Sequence, residues 1–216
     1  MNQIDIEALQ VAAQKMHSGF SGITRLYYVK GMWKIAETQV NGIQLVARPD
    51  WLVYGWTKLW DNRPVAHHVG YVVERYVPPA RELLGDRDKD LWAIYCNKRD
   101  PWMLQWTLPL FNATSNEQFV WSTNTKGGAD AIASVLNAYC DRVKSNPEDS
   151  TILPIVEANT GGYNRTEFIH TPQLNILGWT KPPLTPRPVL PAPPPLVPLP
   201  SSEDAPVEDA SAEDAS

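Results

Sequence analysis

The sequence predicts a mainly β, α+β domain in which one long helix separates two groups of strands. Three observations support this. After residue 18 the apolar residues recur with a period of two, which is typical of strands that are buried on one face. A helical period of apolar residues returns at Gly127–Val143 and then ends at Asn146-Pro147. Strand-like segments resume at Ile152 and continue to Trp179. We expect residues 1–180 to form a single globular domain.

The first element is a predicted N-terminal helix at Asp5–His17, before the strands begin. Asp5 is suited to cap it, and Ser18-Gly19 follows its last turn. Its apolar face comprises Ile6, Leu9, Ala13 and Met16.

The strands before the long helix are predicted from alternation and from turn residues. Ile23–Ile35 reads as a strand broken at Gly31. Trp51–Trp60 and Val69–Val77 read as an antiparallel hairpin around a turn at residues 61–64, and residues 78–101 form a long excursion.

A second hairpin is predicted from Trp102–Phe111 and Gln118–Thr123, directly before the long helix. After the helix come Ile152–Ala158, a turn at Gly161-Gly162, and strands to Trp179. Strands, one amphipathic helix and further strands match the order of an OB-fold, a five-stranded antiparallel Greek-key barrel.

Two segments that cannot build a core follow the domain. Residues 181–200 contain ten prolines and predict an extended, semi-rigid spacer. Residues 201–216 have three Glu-Asp pairs and no basic residue, which predicts a disordered acidic tail. The body carries 17 Lys/Arg against 18 Asp/Glu, so a basic binding surface must be a local patch.

The predicted strand Trp51–Trp60 places aromatic and cationic side chains on one face. Bases of single-stranded nucleic acid stack on aromatic rings while cations contact the phosphates, so this face predicts a nucleic-acid groove. The alternative is that these rings belong to the core. The predicted groove consists of Tyr54, Trp56, Lys58 and Trp60, with Arg63 and Arg75 beside them.

Two further candidate sites share this chemistry. The first interleaves basic with aromatic residues, although ordinary solvated strand faces look similar. The second precedes the long helix at Thr123–Gly128, where Lys126 and the helix N-terminus would attract phosphate, unless the segment only caps the helix. The interleaved residues are Arg25, Tyr27, Tyr28, Lys30, Trp33 and Lys34.

Other classes of site find little support in the sequence. Cys96 and Cys140 have no partner at metal-ligand spacing, and two cysteines suit a reducing compartment. Neither a nucleophile motif nor a signal peptide is recognisable. We therefore expect a cytoplasmic protein without enzymatic activity, metal or cofactor.

The chain resembles the single-stranded-DNA-binding proteins of bacteriophages and bacteria. The resemblance rests on the order of strands and helix up to Trp179, on the Pro-rich residues 181–200 and on the acidic tail. It implies binding of single-stranded DNA, or RNA, with little sequence preference, and leaves self-association open. It also implies that the tail competes for the groove and recruits replication or recombination proteins. The tail residues concerned are Glu203, Asp204, Glu208, Asp209, Glu213 and Asp214.

A different interpretation is a protein-interaction or regulatory module. The Pro-rich segment would then be the ligand of a partner, and the aromatic residues would be core.

Overall fold

The structure is a computed structural model that describes residues 23–60, 63–87, 89–90, 92, 99–115, 117–164, 166–181 and 187–197. The predicted N-terminal helix Asp5–His17 and the acidic tail 201–216 lie outside these residues. Within them, the strands are β1 Thr24–Val29, β2 Met32–Ile35, β3 Thr38–Gln39, β4 Gln44–Ala47, β5 Val53–Trp60, β6 Arg63–Tyr71, β7 Trp102–Phe111, β8 Gln118–Thr123, β9 Leu153–Asn164 and β10 Phe168–Thr180, and the long helix is α1 Lys126–Ser145.

The strands form a curled mixed sheet in the order β10-β9-β4-β7-β8-β1-β2-β3, with β5 pairing β7 and β6 pairing β5. The long strand β7 is central because β5 and β4 share one of its edges while β8 occupies the other. Strand β1 runs parallel to β8, and the remaining pairs are antiparallel. The fold is therefore mainly β with a long helix, as predicted. Ten described strands and a parallel pair correct the expected five-stranded antiparallel barrel.

The β5–β6 hairpin differs in its bounds from the prediction. The second strand begins at Arg63, inside the predicted turn. It ends at Tyr71, where a 3-10 turn over Val72–Glu74 replaces the expected strand to Val77. Arg75 then takes a left-handed conformation, with φ of 57°, which interrupts extended backbone.

The curled sheet leaves a seam between its two ends, where β2 approaches β9. No ladder joins these two strands within the described residues, but side chains bridge them. The Trp33 Nε1 donates to the carbonyl of Asn159 at 2.7 Å, and the Thr160 hydroxyl donates to the carbonyl of Gly31 at 2.7 Å. We call this line of contact the seam.

The main core fills the concave side of the sheet beneath α1. Trp33 is 0% exposed and packs edge-on against Trp121, with ring centroids 4.8 Å apart. Ile132 and Val135, on the apolar face of α1, are buried in this core. This burial explains why apolar residues recur with a helical period in this segment. A second cluster on the other side of the sheet contains Val46, Trp51, Val53, Tyr71, Phe111 and Leu153.

The Pro-rich residues Arg187–Val197 lie against the body, without helix or strand. The Tyr71 hydroxyl donates to the carbonyl of Pro188 at one end. The Val197 amide donates to the carbonyl of Leu83 at the other end, at 2.8 Å. This part of the predicted extended spacer therefore contacts the body over residues 187–197. None of the described helices is long and apolar enough to cross a membrane.

Candidate nucleic-acid interface

The predicted groove on β5 is half-buried because described residues of the 78–101 excursion, among them Pro79 and Asp86, contact it. Tyr54 stacks on Trp106 of the neighbouring strand, with ring centroids 4.0 Å apart and planes at 23°. The Trp56 indole donates to the carbonyl of Pro79 at 2.9 Å. These two rings therefore already have partners within the protein.

Asp86 holds the excursion in place over this face. Its carboxylate accepts from Lys58 Nζ at 3.0 Å and from the Trp102 indole at 3.0 Å. Its carbonyl accepts from the Trp92 indole at 2.8 Å. Lys58 also lies 5.1 Å from the centre of the Trp60 ring. Since its charge is paired, Lys58 does not offer the free cation that the sequence predicted.

The excursion has a second anchor in a bidentate ion pair. Arg81 donates from Nε and Nη2 to the Asp100 carboxylate, at 2.7 and 2.8 Å. This pair joins the beginning of the excursion to its end, and we call its described residues, 78–87, 89–90, 92 and 99–101, the cover. Charge-assisted, bidentate pairs are the stronger class of ion pair.

His68 is buried on the same face, 5.5 Å from the ring of Trp102. Burial lowers the pKa of His68 from its ordinary value. The two arginines predicted beside the stripe lie at the ends of β6. Arg63 is opposite Trp60 in the ladder, whereas Arg75 is exposed beyond the strand.

The second candidate patch is divided between the surface and the core. Tyr27 is 44% exposed and lies directly opposite Lys34 in the ladder, with Arg25 two residues before it on the same face. Trp33 faces the other way into the core, which corrects its assignment as a stacking residue. Lys30 is exposed in the β1–β2 turn.

That turn has a specific backbone geometry. Lys30 and Gly31 both have positive φ, at 50° and 80°, as a two-residue hairpin loop of type I′ requires. A Cβ on Gly31 would lie 2.9 Å from the His170 ring, so the turn packs closely against β10.

A groove of about 880 Å³ opens at the seam, between β1, the start of α1 and the β9–β10 hairpin. Tyr27 and Lys126 both line it, so the structure brings together residues from two candidate sites that the sequence left separate. Tyr163, 53% exposed, and His170 line the opposite wall. Tyr28 lines it too, and its hydroxyl is buried with no hydrogen-bond partner among the described residues.

The start of α1 is capped, as the alternative reading expected. The Thr125 hydroxyl accepts from the Gly128 amide at 3.1 Å. A Cβ on Gly128 would lie 2.0 Å from the Thr123 hydroxyl, so glycine is needed for this close approach. Lys126 and Gly127 line the groove, so the positive end of the helix dipole faces it.

Lys126 lines the groove beside an acidic residue, Asp130. It pairs with Asp130 one turn along, at 2.9 Å, and both side chains are largely exposed. The hydrogen bond and charge of Asp130 raise the pKa of Lys126, and Tyr163 adds a smaller contribution. The ammonium group is therefore charged at neutral pH.

No motif or pattern in the sequence singled out Tyr163 and His170. Gly161-Gly162 were predicted to be a turn, but β9 continues through them to Asn164. Glycine in a strand often marks a close approach, and a Cβ on Gly162 would lie 2.5 Å from the carbonyl of Ile169. A longer strand carries Tyr163 out to the groove.

No family model, curated protein or solved structure matches this chain. In the described part of the chain, no group of three or more His, Cys, Asp or Glu residues is arranged to hold a metal ion.

Proposed function

We propose that this protein binds single-stranded nucleic acid, with DNA as the first substrate to test, without catalysing a reaction on it. The binding surface is the seam groove together with the outer face of β1 and β2. The observation that supports this most is that Tyr27, Tyr163 and Lys126, three exposed residues, line the same groove. A groove of about 880 Å³ lies within the range of sites that hold nucleotide-sized ligands.

The chemistry follows from these positions. Bases stack on the tyrosine rings, at about 1–3 kcal/mol per base. Lys34 and Arg25 flank Tyr27 and contact phosphates on the outer face, while Lys126 and the start of α1 do so in the groove. None of these contacts reads base identity, so sequence preference is weak.

The acidic tail fits this proposal as a competitor. Its six carboxylates, from Glu203 to Asp214, would compete with phosphate groups for the same cationic side chains. They would also present an acidic surface to replication or recombination proteins. Removal of residues 201–216 should therefore tighten binding, and the gain should shrink as salt rises.

Fluorescence anisotropy with labelled oligo-dT tests the proposal. With about three phosphates contacted, log K should fall with a slope near −2 against log salt concentration. Tyr27→Ala should weaken binding by about 5- to 150-fold, the equivalent of one lost stacking contact.

Two lysines on α1 provide a matched comparison. Lys126→Ala should reduce the salt slope by about 0.7. Lys144→Ala should leave it unchanged, because Lys144 lies about 27 Å along the helix from Lys126. Lys144 is a suitable control, since it is also largely exposed and has an acidic neighbour, Asp141. No anisotropy change at low salt, or equal losses in the two lysine variants, would contradict the proposal.

A protein-interaction module is the second candidate, and the docked Pro-rich segment favours it. Acrylamide quenching of tryptophan fluorescence in the presence of oligo-dT does not separate the two candidates, because the rings proposed to stack on bases belong to Tyr27 and Tyr163 and not to tryptophans. Loss of oligo-dT binding in Tyr27→Ala with an unchanged circular dichroism spectrum would favour nucleic acid over this alternative.

A further inference from the structure

The Pro-rich residues Arg187–Val197 contact the body with a period of three. Pro188, Pro191 and Pro194 are half-buried, whereas Val189, Ala192 and Pro195, the residues that follow each of them, are exposed. A polyproline II helix has three residues per turn, so every third side chain lies in the same row along the helix. One row faces the body, and another row, which we call the solvent column, faces solvent. Val189, at 91% exposed, marks the solvent column.

The leading arginine of the segment has a binding site of its own. The Arg187 guanidinium lies 3.3 Å from the centre of the Tyr71 ring and pairs with Glu74 at 2.8 Å. Because a polyproline helix can dock in either direction, a charged contact at one end fixes its orientation. Glu74 and the Tyr71 ring supply that contact.

The next contacts fix the register. The Tyr71 hydroxyl donates to the carbonyl of Pro188, and Leu190 packs against the second hydrophobic cluster. Burial raises the pKa of Tyr71, with Arg187 opposing it, so the hydroxyl remains a donor at neutral pH. Together these contacts resemble the way that aromatic grooves recognise Pro-rich ligands.

The far end of the segment is held by main chain. The Val197 amide donates to the carbonyl of Leu83 at 2.8 Å. Gly85 has a φ of 70°, and a Cβ there would meet Val197 at 3.0 Å, so glycine makes room for the segment. From Arg187 to Val197 an extended polyproline helix spans about 31 Å, which makes this a long and specific surface.

We propose that the surface formed by Tyr71, Glu74, Leu83 and Gly85 is a receptor for a polyproline II segment that begins with arginine, and that residues Arg187–Val197 of the same chain occupy it. This occupancy is reversible. Within the described residues the Nε and Nη2 atoms of Arg187 are buried without an acceptor, which weakens the docked state. A partner that recognises the Pro-rich segment must therefore compete with the body for it.

Binding of a labelled peptide with the sequence of residues 187–197 to the full chain tests this proposal. In the wild-type chain the tethered segment, at an effective concentration on the order of millimolar, competes with the peptide. Arg187→Ala in the chain should weaken the tethered segment and so tighten peptide binding by about fivefold or more. Val189→Ala in the chain, at the solvent column, is the matched control and should leave it within about twofold.

The peptide carries the reciprocal pair of changes. Arg187→Ala in the peptide should weaken its binding to the Arg187→Ala chain by about fivefold or more, and Val189→Ala should change it by less than about twofold. The proposal is overturned if the peptide does not bind that chain at millimolar concentration, if it binds the wild-type chain equally well, or if both peptide changes weaken binding equally.

Hydrogen exchange provides a readout that needs no peptide. The Val197 amide should be protected in the wild-type chain, and its exchange should become about tenfold faster or more in Arg187→Ala, but not in Val189→Ala. Unprotected exchange in the wild-type chain would equally overturn the proposal.

Discussion

The sheet carries two faces on which aromatic and cationic residues alternate, and they differ in what covers them. On β5, Trp56 and Lys58 are bonded to the cover through Pro79 and Asp86. On β1, Tyr27 has a similar pattern around it but remains exposed. The comparison teaches that alternation identifies a face of a strand, whereas distant segments decide whether that face is open to a ligand.

The largest expected effect distinguishes the two sides of the β1–β2 hairpin. Trp33→Ala should reduce the free energy of unfolding by about 3–5 kcal/mol, because it removes a fully buried indole and leaves a cavity. Tyr27→Ala should cost less than about 1 kcal/mol, since its ring is on the outer face. Urea denaturation measures both. Similar losses for the two variants would show that the hairpin has no open face.

The next effect concerns the carboxylate that holds the cover. Asp86 has a φ of 54°, which asparagine tolerates, so Asp86→Asn removes the charge without straining the backbone. We expect a loss of about 1–2 kcal/mol in denaturation, because Lys58 loses its half-buried partner.

The control for this change is Asp130→Asn, which breaks the exposed pair with Lys126 and should cost no more than about 0.5 kcal/mol. Acrylamide should also quench tryptophan fluorescence more in Asp86→Asn than in Asp130→Asn. An unchanged quenching constant in Asp86→Asn would mean that the cover stays closed without this charge.

The smallest effect is a pH dependence on the covered face. The folded pKa of His68 is depressed by burial, so the unfolded state binds a proton more readily. The stability contributed by neutral His68 is present above the unfolded pKa, near 6.5, and is lost as the pH falls below it. The loss is at most about 1.4 kcal/mol per pH unit.

Denaturation of the wild type and of His68→Gln between pH 7 and pH 5 checks this expectation. The wild type should lose more stability on acidification than the variant. Equal slopes would show that His68 takes up its proton without opening the covered face.

Local patterns in the sequence were sufficient for several elements. The long helix was predicted at Gly127–Val143 because its apolar period and its Asn146-Pro147 stop are encoded locally, and the structure has it at Lys126–Ser145. The hairpins containing β5 and β7 were predicted for the same reason. The β7–β8 hairpin has the predicted bounds, whereas β6 ends before the positive φ of Arg75 and β9 continues through Gly161-Gly162.

The site could be predicted only in part. The register of the β1–β2 hairpin puts Tyr27 and Trp33 on opposite faces, but neither register nor alternation says which of the two faces the core. That choice depends on Trp121 and on the seam, which are distant in sequence. Likewise the excursion looked like an irregular loop because the partners of the Asp86 carboxylate, Lys58 and Trp102, lie on two strands that are distant in sequence.

The seam affects how easily β2 and β9 can move apart. Within the described residues no ladder joins β2 to β9, and side chains such as those of Trp33 and Thr160 bridge them, so we expect these two strands to separate slightly while the ladders stay intact. This separation would break only the few side-chain hydrogen bonds at the seam. We therefore expect a bound ligand to widen the groove beside Tyr163.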